Sequence, residues 1–212
     1  MEIQEALEKL FPIDEAPEDN NFPRWMPGDG PYGPFIVTGL ERVKLGLELA
    51  NCGPLDRVLD LGCGDGRFCT TALSLYGAIS AIGVDSDADV IEIASEKARE
   101  FARLTSVGPL FNPEKLSYFH GDIRDDHVKH VVLDPSITIL VAFLTPEFSV
   151  DCKDVLIEHY ERGCRIVAVT FDLANIKELV LKPGCNGING IWVYEKPAID
   201  QEKRKLERKP SQ

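Results

Sequence analysis

The segment Val58-Leu59-Asp60-Leu61-Gly62-Cys63-Gly64-Asp65-Gly66 joins an apolar run, a carboxylate and alternating glycines, which are the parts of a ligand site at the end of a buried strand. The apolar residues suit a strand covered on both faces, and the glycines supply positive φ and close backbone approach. Residues 67–76 then read as a helix whose first free N–H groups would face whatever lies over the turn. The spacing separates ligand classes. A dinucleotide fingerprint, G-x-G-x-x-G, would place its third glycine at 67, where this chain has Arg67, and no Gly-Lys-Ser/Thr follows to make a P-loop. Asp60 would repel phosphates and receive a cationic amine, so the expected ligand carries a positive group.

Two more acids extend the pattern. Asp85 lies 19 positions after Gly66 and ends a second apolar run, where a carboxylate can accept both hydroxyls of a ribose. The competing reading of Asp85 is a helix N-cap, and Asp87 or Ser86 would cap the helix that follows. His120-Gly121-Asp122-Ile123 closes a third run. Asp60, Asp85 and Asp122 would thus stand at three successive strand ends, on the side where open α/β sheets bind ligands. No catalytic acid, base or nucleophile is evident. His127 and His130 could share a helical face, but they do not cluster with the cysteines at 52, 63, 69, 152, 164 and 185, so no metal site is expected and the thiols read as free.

The elements that must position these acids alternate. Residues 39–50 read as a helix, 78–84 as the second strand, 87–104 as a helix, 116–120 as the third strand, and 137–143 as a fourth, uniformly apolar and hence central. Residues 149–160 read as a helix and 165–171 as the fifth strand. Residues 179–182 and 191–195 read as a closing hairpin around the turn-rich stretch 183–187. The expected fold is α/β, a mostly parallel sheet with a C-terminal antiparallel hairpin and helices on both faces.

With 212 residues, the chain is sized for one α/β domain. Residues 1–30 form an acidic, proline-rich arm, polar enough to be partly disordered, residues 31–197 the domain, and residues 198–212 a basic tail. The formal net charge of −12 disfavours a broad nucleic-acid footprint, which needs a basic stripe. No apolar run approaches a membrane span and no signal peptide is apparent, so a cytoplasmic or nuclear location is expected.

Asp60 followed by G-x-G-x-G resembles the motif of the class I, seven-strand S-adenosylmethionine-dependent methyltransferases. The wider set Phe35-Ile36-Val37-Thr38, Asp60 to Arg67, Gly83-Val84-Asp85 and Phe143-Leu144-Thr145-Pro146-Glu147 is similar to the small protein-lysine methyltransferases that modify the ATP synthase c subunit and the adenine nucleotide translocase. The resemblance implies a Rossmann-like methyltransferase sheet and S-adenosylmethionine as cofactor. Its contacts would come from Thr38, Asp60, Gly62, Cys63, Gly64, Gly66, Asp85, Ser86, Asp122, Ile123 and Phe143. Phe143, Pro146 and Glu147 would face the methyl acceptor, a protein lysine. A small-molecule acceptor, with Phe22, Trp25, Met26 and Tyr32 of the arm as a lid, and a non-catalytic binding subunit are the alternatives. The amino-group signature Asn/Asp-Pro-Pro-Tyr/Phe of enzymes acting on DNA bases and glutamine is absent.

Overall fold

A computed structural model describes residues 1–12, 37–105 and 111–197. Seven strands stand at its centre: β1 (Arg57–Leu61), β2 (Ser80–Asp85), β3 (Leu116–His120), β4 (Ile139–Ala142), β5 (Arg165–Val169), β6 (Leu181–Ile188) and β7 (Ile191–Tyr194). They form one sheet in the order β3-β2-β1-β4-β5-β7-β6. The first five are parallel to their neighbours, and β7 runs antiparallel between β5 and β6. The expected mostly parallel sheet with a C-terminal antiparallel hairpin is present, and β4 is central.

Side chains alternate across each strand, so the sheet buries two cores. Val58, Ile139, Val141, Val167 and Val169 pack with helices α2 (Leu40–Leu49) and α3 (Arg67–Tyr76). Leu59, Leu61, Leu140 and Ile166 pack on the other face with α5 (Asp126–Val132) and α7 (Lys153–Arg162). Because Asp60 has the same parity as Val58, it lies on the α2/α3 face, beneath the glycine turn that starts α3. Helix α4 (Ala88–Leu104) follows β2, and its N-cap is Asp87, whose side chain accepts from the N–H groups of Asp89 and Val90.

The acidic arm begins as a helix, α1 (Ile3–Leu10), which the sequence reading left out. Its apolar residues recur at helical spacing, and Ala6, Leu7 and Phe11 are buried with Leu40 of α2 and Phe101 of α4. The lid candidates Phe22, Trp25, Met26 and Tyr32, the motif residues Phe35 and Ile36, the loop at 106–110 and the basic tail lie outside the described residues.

Other expectations are corrected. The hairpin does not turn at 183–187: β6 runs through that stretch, and the turn is Asn189-Gly190, with φ of 49° and 68°. Asn-Gly favours the doubly left-handed turn that suits strand twist. Pro183 and Gly184 are tolerated because β6 is an edge strand with shifted register between Leu181 and Ile188. The helix expected over 149–160 begins earlier and breaks at Cys152 into α6 (Pro146–Asp151) and α7. Thr145 caps α6 by accepting from the Phe148 N–H, with Pro146 in the first turn. All six cysteines are free, as expected.

Candidate active site

The glycine turn leaves β1 in a conformation that only glycine holds at low cost, with φ of 75° at Gly62, 53° at Gly64 and 78° at Gly66. Its first N–H groups stay on the sheet, where Gly62 and Cys63 donate to the Val84 carbonyl at 2.8 and 3.1 Å. At Gly66 an added Cβ would lie 2.0 Å from the hydroxyl oxygen of Tyr118 on β3, so that tyrosine roofs the turn at van der Waals range. Gly83 on β2 is equally constrained, its would-be Cβ 2.7 Å from the Cys63 Sγ and from Tyr118.

Asp85 straps the turn to β2. Its Oδ2 accepts from the Gly64 N–H at 2.9 Å and its Oδ1 from the Asp87 N–H at 3.1 Å, leaving further lone pairs for a ligand. The neighbouring Ser86 is exposed, and its carbonyl accepts from His120 Nε2 at 3.2 Å.

Three acids in this part of the chain are buried, and they differ in how they are satisfied. Asp56, at the opposite end of β1, meets Arg165 and Thr138. Asp65 is held by Arg67 and Lys97. Burial raises the Asp65 pKa, but hydrogen bonds and charge from the two cations outweigh it and hold the carboxyl below its ordinary value. Asp60 is only 2% exposed, and among the described residues it makes no hydrogen bond or ion pair. Burial first, and then the negative charge of Asp85 and Asp65, pushes its pKa well above the ordinary value. A buried carboxylate with no partner among the described residues, beneath the glycine turn, has the charge to receive a cation.

This has a testable consequence. The folded protein holds the Asp60 proton where the unfolded chain has released it, so the associated stability is fully present below about pH 3.9 and is lost as pH rises through the folded pKa. Asp60→Asn removes that titration. Thermal melts of the ligand-free protein should show the variant roughly 3–6 °C more stable at about pH 8, with the two curves converging near pH 4. A constant offset across that range would contradict the raised pKa.

Asp122 and Ile123 follow β3. Both oxygens of Asp122 are gripped by the Arg124 guanidinium, at 2.9 and 2.7 Å, and Arg124 also reaches Asp151 at 3.3 Å. Ile123 is buried in the α5/α7 core and borders a cavity of about 200 Å³ with Val132, Cys152 and Val155. Thr38 is buried, and its carbonyl accepts from Arg67; the N-cap of α2 is Gly39.

Phe143 leaves β4 beside the turn, its carbonyl 3.9 Å from a Cβ built on Gly62, and its ring lies 6.3 Å from that of Phe171 after β5. Pro146 and Glu147 form the exposed first turn of α6, which Asn175 fastens by donating to the Pro146 carbonyl and the Ser149 hydroxyl. The strand ends thus bring together Asp60, the glycines, Asp85 and Phe143, whereas Asp122 is turned into its own ion pair. Phe171, Tyr118 and the Asp65 cluster were missed, because their partners are distant in sequence. Only the spacing Asp65-x-Arg67 hinted at a fork. Among the described residues no group of acids, histidines and cysteines could hold a metal ion, and no helix is long and apolar enough to cross a membrane.

Comparison with known proteins agrees with this geometry. Residues 58–145, from β1 to just beyond β4, match the family described as a methyltransferase domain. A protein-lysine N-methyltransferase of Saccharolobus islandicus is 28% identical over 169 residues, covering 77% of this chain and 94% of that protein. A ribosomal protein L11 methyltransferase of Pseudomonas fluorescens is 28% identical over 137 residues, and there the match spans only 44% of that protein. Among solved structures, an RNA methyltransferase from Salinibacter ruber in complex with S-adenosyl-L-homocysteine superimposes with a TM-score of 0.58 at 23% identity, over 77% of this chain and 97% of that one. That likeness is one of fold.

Proposed function

We propose that this chain transfers a methyl group from S-adenosylmethionine to the side-chain amine of a lysine in a protein. Residues 58–145 are a methyltransferase domain, and the methyl donor is S-adenosylmethionine. The observation that carries the donor site is Asp60, a buried carboxylate under a glycine turn with no partner among the described residues, which complements an α-amine. Gly62, Cys63, Gly64 and Gly66 would offer backbone along the methionine portion, with Thr38 on the carboxylate side. Asp85 would accept the ribose hydroxyls, beside Ser86. Asp122 would meet the adenine amine at the end of β3, and Ile123 would pack on the ring.

When bound, the donor supplies a methyl carbon on a positively charged sulfur, so no acid is needed to activate the leaving group. The work left to the chain is alignment and exclusion of water. Phe143 and Phe171 would wall the path of the acceptor, their ring faces attracting a cationic or methylated amine. A free lysine has a pKa near 10.4, and desolvation between such rings lowers it, releasing the proton to water before transfer. Pro146 and Glu147 sit at the exposed start of α6, where Glu147 can contact an arriving ammonium.

The lysine acceptor is supported by the Saccharolobus relative, which the match covers nearly end to end. The net charge of −12 suits a basic protein segment and opposes a polyphosphate backbone. Incubation of a desalted lysate with the protein and radiolabelled S-adenosylmethionine should place label in a discrete protein band, recovered as methyl-lysine after hydrolysis. Label confined to RNA, or appearing only when metabolites are restored, would replace the lysine acceptor with another.

A further inference from the structure

The glycine turn carries an acid of its own, and the chain invests four separate segments in holding it. Asp65 is 3% exposed. Arg67 donates to it as a fork, Nε to Oδ1 at 2.8 Å and Nη2 to Oδ2 at 2.7 Å, and Lys97 reaches over from α4 to Oδ2 at 2.6 Å. The remaining arm of Arg67 donates to the Thr38 carbonyl at 2.5 Å, just before α2. Phe11, directly after α1, covers both cations: its ring centroid is 5.6 Å from the Arg67 guanidinium carbon and 4.9 Å from the Lys97 nitrogen. Helices α1, α3 and α4 and the residues entering α2 therefore converge on one carboxylate.

A turn with left-handed glycines at 62, 64 and 66 has many alternative conformations, and the anion fixed within it limits them. We propose that Arg67 and Phe11 are positioning residues for the methyl donor: by locking Asp65 they keep the glycine turn in its binding conformation, and this makes helix α1 a working part of the donor site. The inference rests on S-adenosylmethionine being that donor. If the competent turn is populated only in part, apparent affinity falls by that fraction, whereas turnover of the saturated enzyme does not.

The test is a split between affinity and turnover. Arg67→Lys keeps the charge and loses the fork, and should weaken S-adenosylhomocysteine binding and raise the KM for S-adenosylmethionine by roughly 10-fold. Phe11→Leu keeps the apolar filling and loses the ring face, and should weaken binding by roughly 3-fold. In both, kcat at saturating donor should stay within about 2-fold of the parent, with melting curves confirming folded protein. Phe11→Leu lies outside the turn and decides the matter if Arg67→Lys does not fold. Unchanged affinity in the folded variants, or a lower kcat at unchanged affinity, would overturn the positioning role while leaving the methyl donor intact. Failure of the parent protein to bind S-adenosylhomocysteine would overturn both.

Discussion

Asp85→Ala is expected to weaken S-adenosylmethionine binding by about 100-fold or more, because a single carboxylate does three things. It accepts the Gly64 N–H at 2.9 Å, so it holds the glycine turn against β2. It accepts the Asp87 N–H at 3.1 Å, fixing the entry to α4. In the proposed donor site its remaining lone pairs would also accept the ribose hydroxyls. Hydrogen bonds to a charged group contribute about 1.5–3 kcal/mol each, so loss of two to the ligand alone accounts for the expected fall. The same substitution removes a neighbour that raises the Asp60 pKa, and the fall in stability with rising pH assigned to Asp60 should become shallower. Calorimetric titration of the folded variant measures the first effect. Undiminished binding would remove Asp85 from the site.

Gly66→Ala should be the most damaging single methyl in the turn. The residue has φ of +78°, and the new Cβ would fall 2.0 Å from the Tyr118 hydroxyl and 2.6 Å from the ring carbon that bears it. The tyrosine cannot simply swing aside, since its hydroxyl donates to the Gly66 carbonyl at 3.3 Å and its ring lies against Gly83. Strain and overlap together should cost about 2–4 kcal/mol, read from urea unfolding, with donor binding lost. The two contributions can be separated. In Gly66→Ala/Tyr118→Leu the overlap is gone and about 1 kcal/mol of backbone strain remains, so the double variant should be less destabilised than the sum of the singles. Strict additivity would mean that Tyr118 does not roof the turn.

The sheet was legible in the sequence because β1 and β2 are short apolar runs with an acid or glycine at their ends and β4 and β5 are almost wholly apolar, and β3 fell on the expected residues, Leu116–His120. The acids of the proposed donor site were legible for a similar reason: Asp85 ends β2, and Asp60 stands one residue before the end of β1. Local chemistry with a tertiary cause was harder to read. The turn of the last hairpin was placed over 183–187, although Asn189-Gly190 is the stronger turn signal; an edge strand with a shifted register can carry proline and glycine. Helix α1 was hidden by the acidic composition of the arm, which masks the apolar stripe of Ala6, Leu7 and Phe11. Asp122 could be placed at a strand end, but nothing local predicts that Arg124 would turn back on it and reach Asp151 as well. Phe171 has no meaning in the sequence until β5 is seen beside β4.

In the proposed function the turn from Asp60 to Gly66, with Asp85, holds S-adenosylmethionine. The most direct test of this is calorimetric titration of the purified protein with S-adenosylmethionine and, in parallel, with NAD. One site should bind S-adenosylmethionine, with release of the Asp60 proton revealed by binding heats that differ between buffers of different ionisation enthalpy, and NAD should give no comparable heat. Binding of NAD in place of S-adenosylmethionine, or S-adenosylmethionine binding that survives both Asp60→Asn and Asp85→Ala unchanged, would contradict it.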